Sequence, residues 1–252
     1  MHWFYVENSQ ISEHEIRITG SDVKHIKNVL RMEKGEKIVI CDGQGKDYYC
    51  AIESLDKEEV LAKILEINDT ETELETKIYL FQGLPKKDKM ELIIQKAVEL
   101  GVHEIIPVSM KRCVAKIEDG KKEKKKLERW QSISTSAAKQ SGRGIIPNIH
   151  HVLTFEEALQ MADTLEYNLV PYEQAEGMEG SHKVVQEACK HKSIGIFIGP
   201  EGGFDDAEIE KVLNRGFQTI SLGKRILRTE TAGLAIVSIL MFEIERLTEC
   251  KK

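Results

Sequence analysis

The hydrophobic pattern changes its period near residue 70, and this change constrains the fold more than any other feature of the sequence. Before residue 68, apolar residues alternate or form short β-branched runs, which is typical of strands. Residues 68–76 are polar and acidic and are the expected linker. After them, short apolar runs alternate with segments of helical period, which predicts a parallel α/β sheet. We therefore expect two domains, residues 1–70 and residues 71–252.

The first domain is predicted to be a small barrel-like module that contains one helix. Strands are expected at 37–41, 48–52 and 60–67, with a turn at 42–45. Ser21 and Asp22 can cap the helix, whose apolar residues recur at helical spacing: Val23, Ile26, Val29 and Leu30. Lys24, Lys27 and Arg31 follow the spacing i, i+3, i+7, so we expect them on one exposed helix face.

The second domain is predicted to alternate strands and helices. Its expected strands are 78–81, 105–108, 167–170, 194–198 and 217–222. Pro107 indicates that its strand lies near a sheet edge or ends there. Four helices are expected. The first, 88–100, has an apolar face of Met90, Ile93, Ile94, Ala97 and Val98, and the second covers 121–141. The third is capped by Asp205 with Glu208, and the fourth, 232–247, is capped by Thr229 or Thr231 and largely buried.

Composition and charge indicate a soluble protein with an anionic partner. No apolar run approaches the roughly 20 residues that span a bilayer, and the start lacks the pattern of a signal peptide. Five scattered cysteines predict reduced thiols in a cytoplasmic protein. The net charge is −6, yet residues 84–144 hold 15 basic and 8 acidic residues. This local excess favours an anionic partner, although a solvated helix face would have the same pattern.

A glycine-rich segment, Gly199-Pro200-Glu201-Gly202-Gly203, directly follows a predicted buried strand. Parallel α/β proteins bind ligands at the carboxyl ends of their strands, and glycine lets the backbone approach a ligand closely. A tight turn without a ligand is an equally good interpretation. The segment lacks the Lys-Ser/Thr of a P-loop and the spacing of a dinucleotide fingerprint.

A second segment, residues 222–232 with the sequence LGKRILRTETA, also follows a strand and opens a helix. Ile226 and Leu227 offer an apolar wall for a ligand, and Arg228 and Glu230 are expected to pair, which on a surface would be worth about 0–1 kcal/mol. The histidines show no metal-ligand spacing, so we expect no metal site.

Five ordered motifs together carry a family resemblance over nearly the whole chain. They are HIKNVLRMEKGE at 25–36, KAVELGV at 96–102, AAKQSGR at 137–143, GPEGG at 199–203 and LGKRILRTETA at 222–232. In these motifs the chain resembles the RsmE family of the SPOUT class. Its members methylate N3 of a uridine in 16S ribosomal RNA of the small subunit, with S-adenosyl-L-methionine as methyl donor.

The resemblance implies a fold and a cofactor site that spacing cannot derive. It implies a PUA-like RNA-binding β-barrel, then a SPOUT-type parallel sheet with a deep trefoil knot, in a homodimer whose active sites lie near the subunit interface. The cofactor would contact three loops, through Val170, Pro171, Gly199, Pro200, Glu201, Gly202, Gly203, Leu222, Gly223, Ile226, Leu227 and Arg228. RNA would contact Lys24, Lys27, Arg31, Lys111, Arg112, Lys139 and Gln140, with Lys116 and the lysine run at 121–126.

The chain departs from the family at one helix, where Ser136 and Lys139 stand in place of the usual acidic residues. We therefore place no carboxylate base there. Arg143 is the candidate catalytic residue, because a cation can stabilise the negative charge that develops as the uridine loses its N3 proton. Arg143 cannot itself be the base, since it stays protonated. Glu201 is expected to order the cofactor loop.

Two other functions fit the residues without the resemblance. One is an α/β enzyme that binds a nucleotide at the two glycine-containing loops. The other is a non-catalytic RNA-binding protein of ribosome assembly. Binding of S-adenosylmethionine separates the methyltransferase from both, and tight RNA binding separates the two RNA-binding functions from the small-molecule enzyme.

Overall fold

The computed structural model describes residues 1–115, 120–173, 175 and 177–250. Among these residues, no helix combines the length and the apolar character that crossing a membrane requires. The chain divides into two compact units: Met1–Glu73 with Ala138–Ile146, and Leu74–Ala137 with Pro147–Lys252. Each unit has its own sheet.

The first unit is a curled five-stranded sheet, a half-barrel, in the order β1-β3-β4-β5-β2. Its elements are β1 (His2–Tyr5), β2 (Glu15–Thr19), α1 (Ser21–Lys24), β3 (Lys37–Cys41), β4 (Lys46–Leu55) and β5 (Glu59–Asp69). β1 runs parallel to β3, and the other neighbours are antiparallel. The three predicted strands are confirmed, and an isoleucine-rich core with Ile16, Ile38 and Ile52 fills the inner face.

The predicted helix of this unit winds differently from the expectation. α1 has only four residues, and a π-helical segment, His25–Leu30, continues it up to Arg31. A π-helix has a longer repeat than an α-helix, and Val29, one of the apolar residues assigned to the predicted helix, is 66% exposed. Arg31 (φ 54°) is the C-cap of this segment and lies beyond its last turn. The expectation that Lys24, Lys27 and Arg31 share one helix face is therefore wrong.

The segment Ala138–Ile146 is bound to the strands of the first unit by buried polar groups. The Tyr5 hydroxyl donates to the carbonyl oxygens of Ala138, at 3.2 Å, and of Arg143. Burial, the largest cause, raises the pKa of this hydroxyl far above its usual range. A Cβ on Gly144 would overlap the side chain of Thr70, so only glycine fits there. These contacts make a sequence-distant segment part of the first unit.

The second unit is an all-parallel sheet of seven strands in the order β12-β10-β11-β6-β7-β8, with β9 also paired to β7. Its elements are β6 (Lys77–Gly83), α2 (Lys89–Glu99), β7 (Glu104–Ser109), α3 (Gly120–Ser141, whose residues from Ala138 onward belong to the first unit), β8 (Asn148–Ile149), β9 (Leu153–Thr154), α4 (Phe155–Ala162), β10 (Tyr167–Pro171), α5 (Met178–Ala188), β11 (Ser193–Ile198), α6 (Asp206–Asn214), β12 (Gln218–Ile220) and α7 (Thr229–Glu249). The predicted parallel α/β architecture is confirmed.

Local signals located several of these elements correctly. The five apolar residues predicted for one face of α2 are all buried, and Asp205 and Glu208 form the predicted capping box of α6. Pro107 lies opposite the interval between β8 and β9, where β7 has no outer partner. The sequence pattern did not predict α4 and α5, although Thr154 and Glu157 form a capping box at the start of α4.

Helix α7 differs from the prediction at its start and on its surface. It begins at Thr229 with Arg228 as N-cap, and no side chain caps it, so the expected Thr229 or Thr231 cap is wrong. One face, with Ile236 and Leu240, is buried, but Ile239 is 43% and Phe242 63% exposed. The expectation of a largely buried helix therefore fails on one apolar face.

Candidate active site

A pocket of about 540 Å³ lies at the carboxyl ends of β10, β11 and β12 in the second unit. Loops after these three strands meet the first residues of α2 and α7 there. This edge of a parallel sheet is where α/β proteins bind ligands, and the volume is within the roughly 300–1,000 Å³ of small-molecule sites.

The GPEGG segment forms a tight turn that only small residues can build. The Gly203 N–H donates to the carbonyl oxygen of Pro200 at 2.9 Å, and Gly203 has a φ of 70°. A Cβ on Gly199 would lie 3.2 Å from the backbone of Gly203. The turn passes so close to the end of β6 that a Cβ on Gly83 would lie 2.8 Å from the nitrogen of Pro200. The loop is thus closely folded on itself and packed directly against the backbone of β6.

Thr229 connects the two predicted loops. Its hydroxyl donates to the carbonyl oxygen of Gly199 at 2.6 Å and accepts from Nε2 of Gln82 at 2.9 Å. All three residues belong to different segments, and Gln82 is fully buried on β6. The side chain that was expected to cap α7 therefore fixes the GPEGG loop instead.

A cluster of three charged groups lies at the rim of the pocket. Nζ of Lys89 is 3.1 Å from Oε1 of Glu201 and 3.1 Å from Oε2 of Glu230. The expected Arg228–Glu230 pair is therefore wrong, because the carboxylate of Glu230 forms its ion pair with Lys89 instead. Burial acts to raise the pKa of Glu201, but hydrogen bonds from Lys86 N–H and Lys89 outweigh it and hold that pKa below its usual range.

The pocket collects nearly all residues that the resemblance assigned to the cofactor. Its walls include Pro171, Gly199, Pro200, Glu201, Gly202, Gly203, Leu222, Gly223, Ile226, Leu227 and Arg228. Val170 is the exception: it is fully buried within β10 and does not line the pocket. Ile226 is 88% exposed, so its side chain stands at the mouth.

Arg143 lies in the first unit, and its guanidinium is 4% exposed. It forms an ion pair with Glu73, whose carboxylate also accepts from the N–H groups of Gly144 (3.0 Å) and Ile145 (3.2 Å). The predicted catalytic cation is therefore part of a buried polar cluster.

The predicted RNA-binding residues have different surroundings. Lys24, Arg31, Lys139 and Gln140 are exposed. Nζ of Lys27 donates to the carbonyl oxygen of Asp56 at 2.8 Å. In the second unit, Lys111 pairs with Asp205 at 2.8 Å and Arg112 lies 3.7 Å from the same carboxylate. Lys116 and the side chain of Lys121 are outside the described residues.

Ser136 and Lys139, which replace acidic residues, make local contacts. The Ser136 hydroxyl donates to the carbonyl oxygen of Ser132 at 2.9 Å on an exposed helix face. Nζ of Lys139 lies 5.7 Å from the ring centroid of Tyr5, which is a cation–π distance. Both positions are thus exposed, and neither holds a buried charge.

Sequence reasoning missed Lys89 and Gln82 as parts of this site, whereas the resemblance already assigns Tyr172 to the cofactor loop with Val170 and Pro171. Tyr172 lines the pocket directly after β10. A signal existed for Lys89, because a lysine at the first position of a helix opposes the helix dipole and needs compensation. Gln82 could have been found as a lone polar residue within an apolar strand.

Comparisons with known proteins agree with this geometry. Residues 72–241 match the model of an RNA methyltransferase domain, and residues 18–65 match an RNA methyltransferase PUA domain. Ribosomal RNA small subunit methyltransferase E of Bacillus subtilis is 40% identical over 91% of each chain. A crystal structure of the Neisseria gonorrhoeae protein of that name, bound to S-adenosyl methionine, has a TM-score of 0.79 and 34% identity over 96% of this chain and 97% of that one. A putative methyltransferase from Legionella pneumophila, also in complex with SAM, has a TM-score of 0.78 and 31% identity, and the match covers 95% and 96% of the chains.

Proposed function

The chain belongs to the ribosomal RNA small subunit methyltransferase E family, and on this premise we propose that it transfers a methyl group from S-adenosylmethionine to N3 of one uridine in 16S ribosomal RNA. The observation that carries the proposal is the convergence of the GPEGG and 222–228 loops on one pocket at the carboxyl edge of a parallel sheet. These are the loops that the resemblance of the sequence motifs assigns to the cofactor.

The residues of the pocket fit S-adenosylmethionine. Backbone groups of the glycine loop are accessible because Gly199, Gly202 and Gly203 carry no side chains, and Leu222 and Leu227 provide apolar wall for an adenine ring. When bound, S-adenosylmethionine supplies a methyl group that its sulfonium activates. The loops hold and orient the molecule, so that proximity supplies much of the rate.

In this proposal Arg143 provides the positive charge that stabilises the uridine as its N3 proton leaves. The guanidinium is paired with Glu73 in the free chain, so the role requires RNA binding to bring the target base to this pair or to open it. Glu201 orders the loop rather than acting as a base, because its lowered pKa keeps it a weakly basic carboxylate.

The proposed RNA contacts are Lys24, Lys27, Arg31, Lys111, Arg112, Lys139 and Gln140. Residues 1–70 serve as a PUA-like RNA-binding module, and residues 71–252 as a SPOUT methyltransferase domain with a deep trefoil knot. Support for the basic residues is the exposure of Lys24, Arg31 and Lys139. Lys111 and Arg112 would exchange their pairing with Asp205 for phosphate.

We further propose a cytoplasmic homodimer. Its support is an apolar surface on the packed helices α2 and α7, where Leu92 is 45%, Ile239 43% and Phe242 63% exposed. Isolated exposed apolar residues are ordinary, but Ile239 and Phe242 are three residues apart and so neighbours on α7, and adjacent exposed apolar side chains are typical of an interface. The Phe242→Glu variant should sediment as a monomer where the wild-type chain sediments as a dimer.

The test of the function is methylation of small ribosomal subunits that lack N3-methyluridine. The protein is incubated with S-adenosylmethionine and these subunits, and the RNA is digested and mapped by mass spectrometry. One new methyl group on N3 of a single uridine supports the proposal. Cofactor binding without this product would move the target to another RNA, and neither binding nor product would favour a non-catalytic RNA-binding protein.

A further inference from the structure

Lys89 lies between two carboxylates that come from different segments of the pocket. Its ammonium is 3.1 Å from Glu201, in the GPEGG loop, and 3.1 Å from Glu230, in the first turn of α7. Lys89 itself is the first residue of α2. One side chain therefore connects three segments that are distant in sequence.

The position is unfavourable for a lysine that has no partner. The first turn of a helix carries a partial positive charge, which repels a cation and attracts a carboxylate. Glu230 has the favourable arrangement in α7, and Lys89 has the unfavourable one in α2. Both carboxylates raise the pKa of Lys89, with Glu201 as the larger cause, so the ammonium stays charged.

Glu230 depends on this contact. Its Oε2 is buried and makes no hydrogen bond of good geometry within the described residues, and Lys89 is the one cation that these residues place within 4 Å of it. Loss of the ammonium would leave a largely buried carboxylate with only the dipole of α7 to compensate its charge. The start of α7 would then relax toward water.

Glu201 is held from the same side. Its Oε1 accepts from the Lys86 N–H at 3.0 Å as well as from Lys89. The connection from β6 to α2 thus holds the GPEGG loop through a backbone group and a side chain. Thr229, the neighbour of Glu230, donates to Gly199 at the other end of the loop.

We propose that Lys89 is a positioning residue for the cofactor, which keeps the GPEGG loop and the start of α7 in the arrangement that binds S-adenosylmethionine. This inference rests on the proposed function. Without the ammonium the loops populate other arrangements, and the apparent Kd rises in inverse proportion to the fraction that remains competent. A competent fraction of about one tenth would raise it about tenfold.

The test uses the full chain and three variants. Lys89→Met removes the charge and keeps the stem, Lys89→Arg keeps the charge, and Lys96→Met is the matched control. Lys96 lies on the same helix and pairs with Glu99, outside the pocket lining. Calorimetry gives the Kd of S-adenosylmethionine well below each variant's Tm, and steady-state kinetics give KM for cofactor and for RNA separately.

We expect Lys89→Met to raise the cofactor Kd and KM about tenfold with an unchanged KM for RNA, Lys89→Arg to recover most of the affinity, and Lys96→Met to resemble the wild type. A purely structural role would lower Tm and leave the Kd of the folded protein unchanged, and that result would overturn the inference.

If Lys89→Met does not fold, Glu201→Gln removes the other end of the contact and must itself raise the Kd. A wild-type chain that does not bind S-adenosylmethionine would refute the proposed function; binding with equal Kd in Lys89→Met and wild type would refute only the role of Lys89.

Discussion

The hydroxyl of Thr229 donates a hydrogen bond of 2.6 Å to the carbonyl oxygen of Gly199 and so joins the first residue of α7 to the glycine loop. The same hydroxyl accepts from the buried amide of Gln82 at 2.9 Å. The Oε1 of Gln82 has no hydrogen-bond partner within the described residues. Nε2 of Gln82 also donates to the carbonyl oxygen of Gly83 at 3.0 Å, so two acceptors, one of them the Thr229 hydroxyl, compensate the burial of this amide.

The Thr229→Val variant tests this arrangement. It leaves the Gly199 carbonyl oxygen without the hydroxyl donor and reduces Gln82 Nε2 to its hydrogen bond with the Gly83 carbonyl oxygen. An unsatisfied buried group costs about 1–3 kcal/mol. We expect the free energy of unfolding in urea to fall by about that amount and the Kd of S-adenosylmethionine to rise. Thr231→Val, at an exposed position in the same helix turn, is the control. Equal stability of Thr229→Val and Thr231→Val would contradict the role of this hydroxyl.

Gly83→Ala tests the close passage of two backbones. An added Cβ would lie 2.8 Å from the nitrogen of Pro200 and 3.0 Å from the carbonyl oxygen of Ile198, and neither backbone can move aside easily. We expect a loss of about 1–3 kcal/mol in the free energy of unfolding. Gly120→Ala adds a methyl group that no described residue approaches within 4 Å, and it should leave stability within about 0.5 kcal/mol of the wild type or above it. Tolerance of Gly83→Ala would mean that the strand and the loop do not approach so closely in solution.

The backbone of Lys87 has a φ of 56°, in the left-handed region that costs a non-glycine residue about 1–2 kcal/mol. Glycine removes this cost and adds about 0.5–1 kcal/mol of unfolded-chain entropy. We therefore expect Lys87→Gly to raise the free energy of unfolding by up to about 1 kcal/mol. Lys86→Gly, one residue earlier and without a positive φ, should lower it. If both variants had a lower free energy of unfolding than the wild type, the added flexibility of the unfolded chain would outweigh any relief of the Lys87 backbone.

Arg143 and Glu73 allow catalysis to be separated from folding. Removing one partner of a buried ion pair costs about 3–5 kcal/mol, so Arg143→Met should be strongly destabilised in urea. Adding Glu73→Gln removes the orphaned charge and should restore part of the loss. We expect the double variant to be folded and to bind S-adenosylmethionine but to transfer methyl groups slowly. Methyl transfer at the wild-type rate by this double variant would refute the catalytic assignment of Arg143.

The cysteines predict a simple reactivity pattern. All five are free, and only Cys250 is exposed. Burial, the largest cause in each case, raises the pKa of Cys41 and of Cys50 to about 12 and that of Cys189 to about 11. Since the thiolate is the reactive form, we expect one thiol per chain to react with a disulfide reagent at pH 8 and all five in denaturant. A second fast thiol in the native protein would contradict the burial of the other four.

Features that depend on residues close together in the chain could be predicted from the sequence. The helical period predicted the buried face of α2, and short apolar runs predicted β6 and β11, because strands buried on both faces have apolar residues at successive positions. The Asp205–Glu208 capping box could also be predicted. Two of the five motifs, GPEGG and LGKRILRTETA, also identified two of the loops that line the pocket. In GPEGG the signal is its glycines, which a close approach between backbones requires.

Contacts between residues far apart in the chain could not be predicted from the sequence. Lys89 reaches Glu230 across 141 positions of the chain, and so the Arg228–Glu230 pair that adjacency suggested does not form. Segment Ala138–Ile146 joins the first unit through Tyr5 and Glu73. A single domain boundary near residue 70 cannot describe a unit that consists of two separate stretches of the chain. The π-helical turn moved Val29 to the surface. These outcomes follow from buried charges and amides, each of which must find a partner in three dimensions, and sequence spacing carries no information about that partner.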